Sequence, residues 1–216
     1  MTTRFSVVGS QFSVMLPRLY AILDRSFFPD SELLCSTAEE LLAGGVTLLQ
    51  YRDKSGNARQ MLEQARELKR RLGGSVKLIM NDRADLCVAA GFDGVHVGQE
   101  DLSAEGARSV IGENLWLGVS THYPGQAEEA NRTSANYVAI GPVFPTASKV
   151  NPDPVVGLDG VRTIRALTRK PLVAIGGINR ANCRSVIEAG ADSVAVISDL
   201  MREPRKSAKD FLRILG

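Results

Sequence analysis

Along the chain, short apolar runs rich in Val, Ile and Leu alternate with longer segments whose apolar residues return every three or four positions. The runs cover residues 18–24, 46–54, 77–82, 94–98, 115–121, 137–143, 172–178 and 193–198, and each has the character of a buried parallel strand. The segments between them carry the period of helices with one apolar face, as in Met61, Ala65, Leu68 and Leu72, or Leu158, Val161, Ile164 and Leu167. Three related stretches, around Gly44-Gly45, Gly91 and Gly190, close a helix with glycine and lead straight into the next run. The repeating unit is helix, then strand.

Eight such units in 216 residues predict a closed (β/α)8 barrel, a single α/β domain with its helices outside the sheet. The competing arrangement is an open, doubly wound sheet of flavodoxin or Rossmann type. It finds no support after the first run, where Asp24-Arg25-Ser26 stands instead of a glycine-rich nucleotide loop. Residues 1–16 show no periodic pattern and read as an extension ahead of a barrel spanning 17–216.

Composition narrows the function classes. With 44% hydrophobic residues the chain can build one sizeable core. Its 26 Lys and Arg against 24 Asp and Glu leave a charge of +2 without a dense basic block, so neither nucleic acid nor an anionic membrane surface is called for. No stretch reaches the roughly 20 apolar residues of a bilayer span, and no signal-peptide layout opens the chain; a cytoplasmic protein is expected. Cys35, Cys87 and Cys183 are odd in number and never spaced Cys-x-x-Cys, which argues against a disulfide framework or a zinc knuckle. Cys87 and Cys183 fall on apolar helix faces and read as core residues rather than nucleophiles.

In a barrel of this kind the chemistry sits at the C-terminal ends of the strands. The second run ends in Gln50-Tyr51-Arg52-Asp53-Lys54, where alternation sends Gln50, Arg52 and Lys54 to one side, a set suited to a phosphate or pyrophosphate or to a solvated strand end. Asn81-Asp82 ends the third run, and Gly98-Gln99-Glu100-Asp101 follows the fourth. Asp82 and Asp101 are hard oxygen ligands of the kind Mg²⁺ takes beside substrate phosphates, or else caps for the helices that follow. The seventh run ends in Gly176-Gly177 and the eighth in Ile197-Ser198, which reads as a monophosphate site, with a simple tight turn as the alternative. The sixth run leads into a long loop through Thr146, Ser148 and Lys149, a natural lid. His96 is expected to face into the barrel as a packed or ligand-lining residue, whereas His122, beside Ser120, is placed for acid–base work.

Taken together, the stretches QYRDK, NDRADLCVAAGFDGVHVGQEDL, GVSTH, GPVFPTASK and AIGGI followed by AGADSVAVIS resemble the thiamine-phosphate synthase family, in the right order from about residue 17 to the end. The resemblance implies a transferase that joins hydroxymethylpyrimidine diphosphate to thiazole phosphate, releasing pyrophosphate with the help of Mg²⁺. By position, Gln50, Arg52, Lys54, Asn81, Ser120 and Lys149 would hold the diphosphate, with Arg52, Ser120 and Lys149 closest to the chemistry. Asp82 and Asp101 would hold the metal, and Thr146, Ser148, Gly177, Ile197 and Ser198 would receive the thiazole's phosphate. The implied partners are these two small molecules, with self-association into a homo-oligomer left open. A thiazole tautomerase using a histidine near His122, and a non-catalytic barrel that binds a thiamine precursor, are the two alternatives.

Overall fold

The computed structural model describes residues 15–146 and 153–216. Strands β1 (Leu19–Asp24), β2 (Leu48–Arg52), β3 (Lys77–Asn81), β4 (Gly94–Val97), β5 (Trp116–Thr121), β6 (Tyr137–Ile140), β7 (Leu172–Ile175) and β8 (Ser193–Val196) close into a parallel barrel in chain order. Ala21 of β1 stands beside Leu49 of β2 on one side and Val196 of β8 on the other, which completes the ring. The open-sheet alternative is excluded.

Helices α1 (Ser31–Ala43), α2 (Ala58–Leu72), α3 (Ala84–Ala90), α4 (Ala104–Ile111), α5 (Pro124–Asn131), α6 (Gly157–Leu167), α7 (Cys183–Glu188), α8 (Ser198–Met201) and α9 (Pro204–Leu215) follow or flank the strands. Side chains that satisfy open backbone donors set the starts of three of them, α1, α2 and α4: Asp30 accepts from the Leu33 amide at 2.8 Å, Asn57 from Gln60 at 3.2 Å and Ser103 from Gly106 at 3.1 Å. Gly91 ends α3 in the left-handed conformation that a glycine adopts without steric cost. On α2 the stripe Met61, Ala65, Leu68 and Leu72 is buried, as its spacing requires. On α6 Val161 and Ile164 are buried, while Leu167 at the helix end is exposed.

Two apolar layers result. The larger lies between strands and helices and takes in Leu23, Leu34, Leu41, Leu68 and Phe211, each worth about 2 kcal/mol when fully buried. All three cysteines are free and buried there, Cys35 included. The smaller layer fills the barrel itself with Tyr20, Ile22, Leu48, Ile79, Tyr137, Ala139, Val173 and Ala195, and Leu16 and Trp116 pack against it. Leu16 thus ties the region before β1 to the barrel interior. The alanines at 139 and 195 leave the interior less filled on that side, which is where a cavity can enter.

Several strands stop earlier than the apolar runs suggest. β6 ends at Ile140 because Gly141-Pro142 follows, and proline has no N–H to continue the ladder. β7 ends at Ile175 because Gly176 and Gly177 turn away at φ 99° and 63°. These early exits hand the polar residues to loops above the barrel.

Candidate active site

The C-terminal mouth of the barrel holds a cavity of about 350 Å³. Ile22, Ala139, Val173 and Ala195 form its apolar floor, and polar residues from the strand ends form its walls. Gln50, Arg52, Lys54, Asn81, Asp82, Asp101, Ser120, Thr146, Gly177, Ile197 and Ser198 all line it. The expected Ser148 and Lys149 lie outside the described residues. A wider, open vestibule of about 1080 Å³ adjoins the cavity beside β1 and β2, with Arg25, Ser26, Ser55 and Gln60 on its wall.

Alternation along β2 has the expected effect. Gln50, Arg52 and Lys54 reach the cavity, while Tyr51 and Asp53 turn outward into buried positions; Tyr51 donates to Gln64 Oε1 at 2.5 Å and Asp53 accepts from the Ser55 amide at 2.7 Å. The Arg52 guanidinium is not loose at the strand end. It is paired with the carboxylate of buried Asp24, which also accepts from the Ser26 amide at 3.0 Å and its hydroxyl at 2.6 Å. One donor of the guanidinium is thereby fixed while Arg52 lines the cavity. Asp24 was legible in principle, as a carboxylate ending the first apolar run.

The two candidate metal ligands do meet. Asp82 and Asp101 lie within hydrogen-bonding reach of one another, and Lys54 pairs with Asp82. Burial raises the Asp82 pKa above the usual carboxylate range; Lys54 pulls it down and Asp101 pushes it up. Capping does not account for Asp82, because Arg83 occupies the cap position of α3 and makes no side-chain capping bond. Asp82 instead adopts φ 62°, a left-handed conformation that costs a non-glycine residue on the order of 1 kcal/mol and turns its carboxylate toward Asp101 and Lys54. Asp101 does not cap α4 either. Ser103 does, while Asp101 accepts from the Gly98 amide at 2.8 Å. Among the described residues no group of three or more His, Cys, Asp or Glu converges as a metal cage. Next to the pair, the buried Asn81 Nδ2 has no hydrogen-bond partner among the described residues. An amide donor left unpaired in a cavity wall is open to an oxygen acceptor from the cavity.

Across the cavity, the β6 and β7 loops are fastened together by Val143 N–H to Ile175 O at 2.9 Å and Phe144 N–H to Gly176 O at 3.0 Å. A Cβ on Gly177 would lie 2.5 Å from Pro145 O, and one on Gly176 2.5 Å from Pro142 Cβ. Close approach and positive φ both demand glycine there, and both glycines line the cavity. Arg180 then joins the β7 loop to α8: its amide donates to Asp199 at 2.9 Å and its guanidinium to both Asp199 oxygens at 3.1 and 2.9 Å. Ser198, the first residue of α8, precedes the clamped Asp199 and lines the cavity together with Gly177.

The histidines separate clearly. His96 faces into the barrel, with Nδ1 3.1 Å from the Tyr137 hydroxyl and Nε2 2.9 Å from Ser120 Oγ, and burial lowers its pKa to about 4. His122 lies at the rim, donating from Nδ1 to Gly141 O at 2.6 Å, with Nε2 3.5 Å from Asp153. Tyr20 and Tyr137, inward-facing on β1 and β6, bond to each other and to Gln50 and His96, and were passed over in the sequence because each belongs to an apolar run.

Known proteins are similar to this chain along most of its length. Residues 19–200 match the family model described as thiamine monophosphate synthase. A thiamine-phosphate synthase of Koribacter versatilis is 62% identical over 203 residues, 93% of this chain and 96% of that protein. One of Agrobacterium fabrum is 44% identical over 86% of each. Among solved structures, a thiamine phosphate pyrophosphorylase from Pyrococcus furiosus superposes with a TM-score of 0.81 at 36% identity, covering 92% of this chain and 95% of that one. The family match, the overall identity and the shared barrel agree, and the chain belongs to the thiamine monophosphate synthase family.

Proposed function

We propose that this chain is a transferase that couples hydroxymethylpyrimidine diphosphate to thiazole phosphate, giving thiamine phosphate and pyrophosphate. The observation that carries the reading is the cavity with two kinds of anion-facing wall: Arg52, Lys54, the unpaired Asn81 amide and the Asp82–Asp101 pair on one side, and the glycine loop with Ser198 on the other.

The two carboxylates fit a Mg²⁺ ion, which takes few protein oxygens and completes its shell with water and substrate phosphate. When bound, the ion would be held by Asp82 and Asp101 and would offset negative charge on the diphosphate. Arg52 and Lys54 supply further positive charge, and Asn81 and Ser120 supply hydrogen bonds, where charge develops as the bond from the methylene carbon to the diphosphate oxygen breaks and its electron pair departs with pyrophosphate. The aminopyrimidine ring shares the resulting positive charge. Ile22, Ala139, Val173 and Ala195 exclude water from that carbon, which favours capture by the thiazole nitrogen over hydrolysis. Thr146, Gly177, Ile197 and Ser198 anchor the thiazole's phosphate and so hold that nitrogen close. By the family motif, Ser148 would add to the thiazole phosphate's anchor and Lys149 would hold the diphosphate. No protein nucleophile takes part.

Incubating the purified protein with both substrates and Mg²⁺, and following pyrophosphate and thiamine phosphate together, tests the reading. Equal amounts of both products are expected, with a sharp fall in Lys149→Ala. Binding of thiazole phosphate without pyrophosphate release would overturn it.

A further inference from the structure

Five side chains from five strands form an unbroken line of hydrogen bonds under the cavity. Gln50 Nε2 donates to the Tyr20 hydroxyl at 2.9 Å; the Tyr20 and Tyr137 hydroxyls are 3.1 Å apart; Tyr137 is 3.1 Å from His96 Nδ1; and His96 Nε2 is 2.9 Å from Ser120 Oγ. Tyr20 and Tyr137 are buried, with their rings edge to face, and the His96 and Tyr137 rings stack at 5.5 Å. The arrangement is built for: Gly118 on β5 leaves the space, since a Cβ there would lie 2.1 Å from the Tyr137 ring and 2.4 Å from His96 Nδ1.

A tyrosine hydroxyl has a single proton, and leaving a buried one unpaired costs about 1–3 kcal/mol. With Gln50 donating into Tyr20, the Tyr20 proton is satisfied by going to the Tyr137 oxygen, and the Tyr137 proton then goes to His96 Nδ1. The enclosed, neutral imidazole carries its own proton on Nε2 and donates it to Ser120 Oγ. At the end of the line the Ser120 proton is unclaimed and Ser120 lines the cavity. In the reverse direction Ser120 would give its proton to His96 and present only lone pairs, which repel an anion.

We infer that Tyr20, Tyr137 and His96 are positioning residues that lock His96 as its Nε2–H tautomer and thereby make the Ser120 hydroxyl a hydrogen-bond donor to the anionic part of the substrate. The inference rests on the proposed synthase reading for the nature of that anion, while the tautomer is a property of the unliganded protein. Tyr137 acts through His96 on Ser120 and touches no substrate.

The test joins nitrogen NMR of the ¹⁵N-histidine-labelled full chain with kinetics of conservative variants. His96 is expected to show a protonated Nε2 and a bare Nδ1. Tyr137→Phe removes the donor to Nδ1, mixes the tautomers and lowers kcat about tenfold, the value of one lost hydrogen bond in the reacting state. Tyr20→Phe changes both less, because Tyr137 keeps its own proton for Nδ1. In a Ser120→Ala background, Tyr137→Phe is expected to cost less than about twofold further, as residues acting in series should. A bare Nε2 with protonated Nδ1 in the wild type, or an undiminished cost of Tyr137→Phe without Ser120, would overturn the inference. Absence of thiamine phosphate from a wild-type protein with the Nε2–H tautomer would instead remove the synthase reading and leave the tautomer lock standing.

Discussion

At the scale of single residues, Asp82 concentrates the site's costs. Its backbone is left-handed, its carboxylate is partly buried against Asp101, and its pKa is raised in consequence. An ionised group held there destabilises the metal-free protein, so Asp82→Asn, which keeps the shape and tolerates left-handed φ, is expected to raise the melting temperature in chelator at neutral pH. The same substitution, Asp82→Ala and Asp101→Ala are expected to remove most Mg²⁺-dependent turnover, since each deletes a hard oxygen ligand at the mouth rather than a core contact. Near-normal turnover in the two alanine variants would mean that the metal binds elsewhere. On the opposite wall, Ser198→Asp puts a negative charge beside Gly177 and is expected to raise the KM for thiazole phosphate by tenfold or more, and that for the pyrimidine diphosphate by much less. Equal increases would show that the two anions do not bind at separate walls. Residues such as Arg52, Lys54, Asp82 and Asp101 were readable because charge interrupts an apolar pattern at a strand end. Tyr20 and Tyr137 were not, because a polar atom at the tip of an aromatic ring leaves the apolar pattern unbroken.

At the scale of elements, the strands were legible to within a few residues because each is buried over most of its length and is dominated by apolar residues. Their ends were less so. Periodicity does not distinguish a strand's last apolar residue from an apolar loop residue such as Val143 or Ile178, both buried beyond the sheet. The clamp between the β7 loop and α8 was invisible for a related reason: Arg180 and Asp199 are 19 positions apart and look like ordinary surface charges until the barrel closes. Because Asp199 also receives the Arg180 amide, the clamp fixes a loop backbone as well as pairing two charges. Asp199→Asn should keep much of the geometry, whereas Asp199→Ala should free both elements. The expected result for the alanine variant is a KM for thiazole phosphate raised about fivefold or more, with little change for the pyrimidine diphosphate, since small displacements of an anchoring group are costly. An unchanged KM in steady-state assays with either substrate limiting would show that the two elements hold their positions without the clamp.

Across the whole molecule the two barrel ends have different duties, and they respond differently to acid. The N-terminal end is closed by structural polar contacts: Asp93 accepts from the Leu78 amide at 3.0 Å and from Lys69 and Lys77 at 3.3 Å, and Arg108 donates to the carbonyls of Gly112, Leu115 and Ser134. Burial works to raise the Asp93 pKa, but the Leu78 amide and the two lysines outweigh it and the net shift is downward, so its contribution is kept until the pH falls below the ordinary carboxylate range. The functional end carries His96, whose pKa falls from about 6.5 in the unfolded chain to about 4 in the barrel because its ring is enclosed. Between those values the unfolded chain binds a proton that the folded one refuses, so stability drops as the pH is lowered through that window, by on the order of 3 kcal/mol. Asp82 opposes this, since its raised pKa makes the folded state the stronger proton binder and adds stability as the pH falls. The net slope for the wild type is therefore shallower than His96 alone would give, and the difference between proteins isolates it. Urea unfolding of wild type and His96→Gln at a series of pH values from 7 to 4 is expected to give curves that converge as the pH falls, the variant losing less stability because it has no proton to exclude. Parallel curves across the window would mean that the imidazole takes up its proton inside the barrel, and that its enclosure by Tyr137 and Ser120 is looser than the 3.1 and 2.9 Å contacts require.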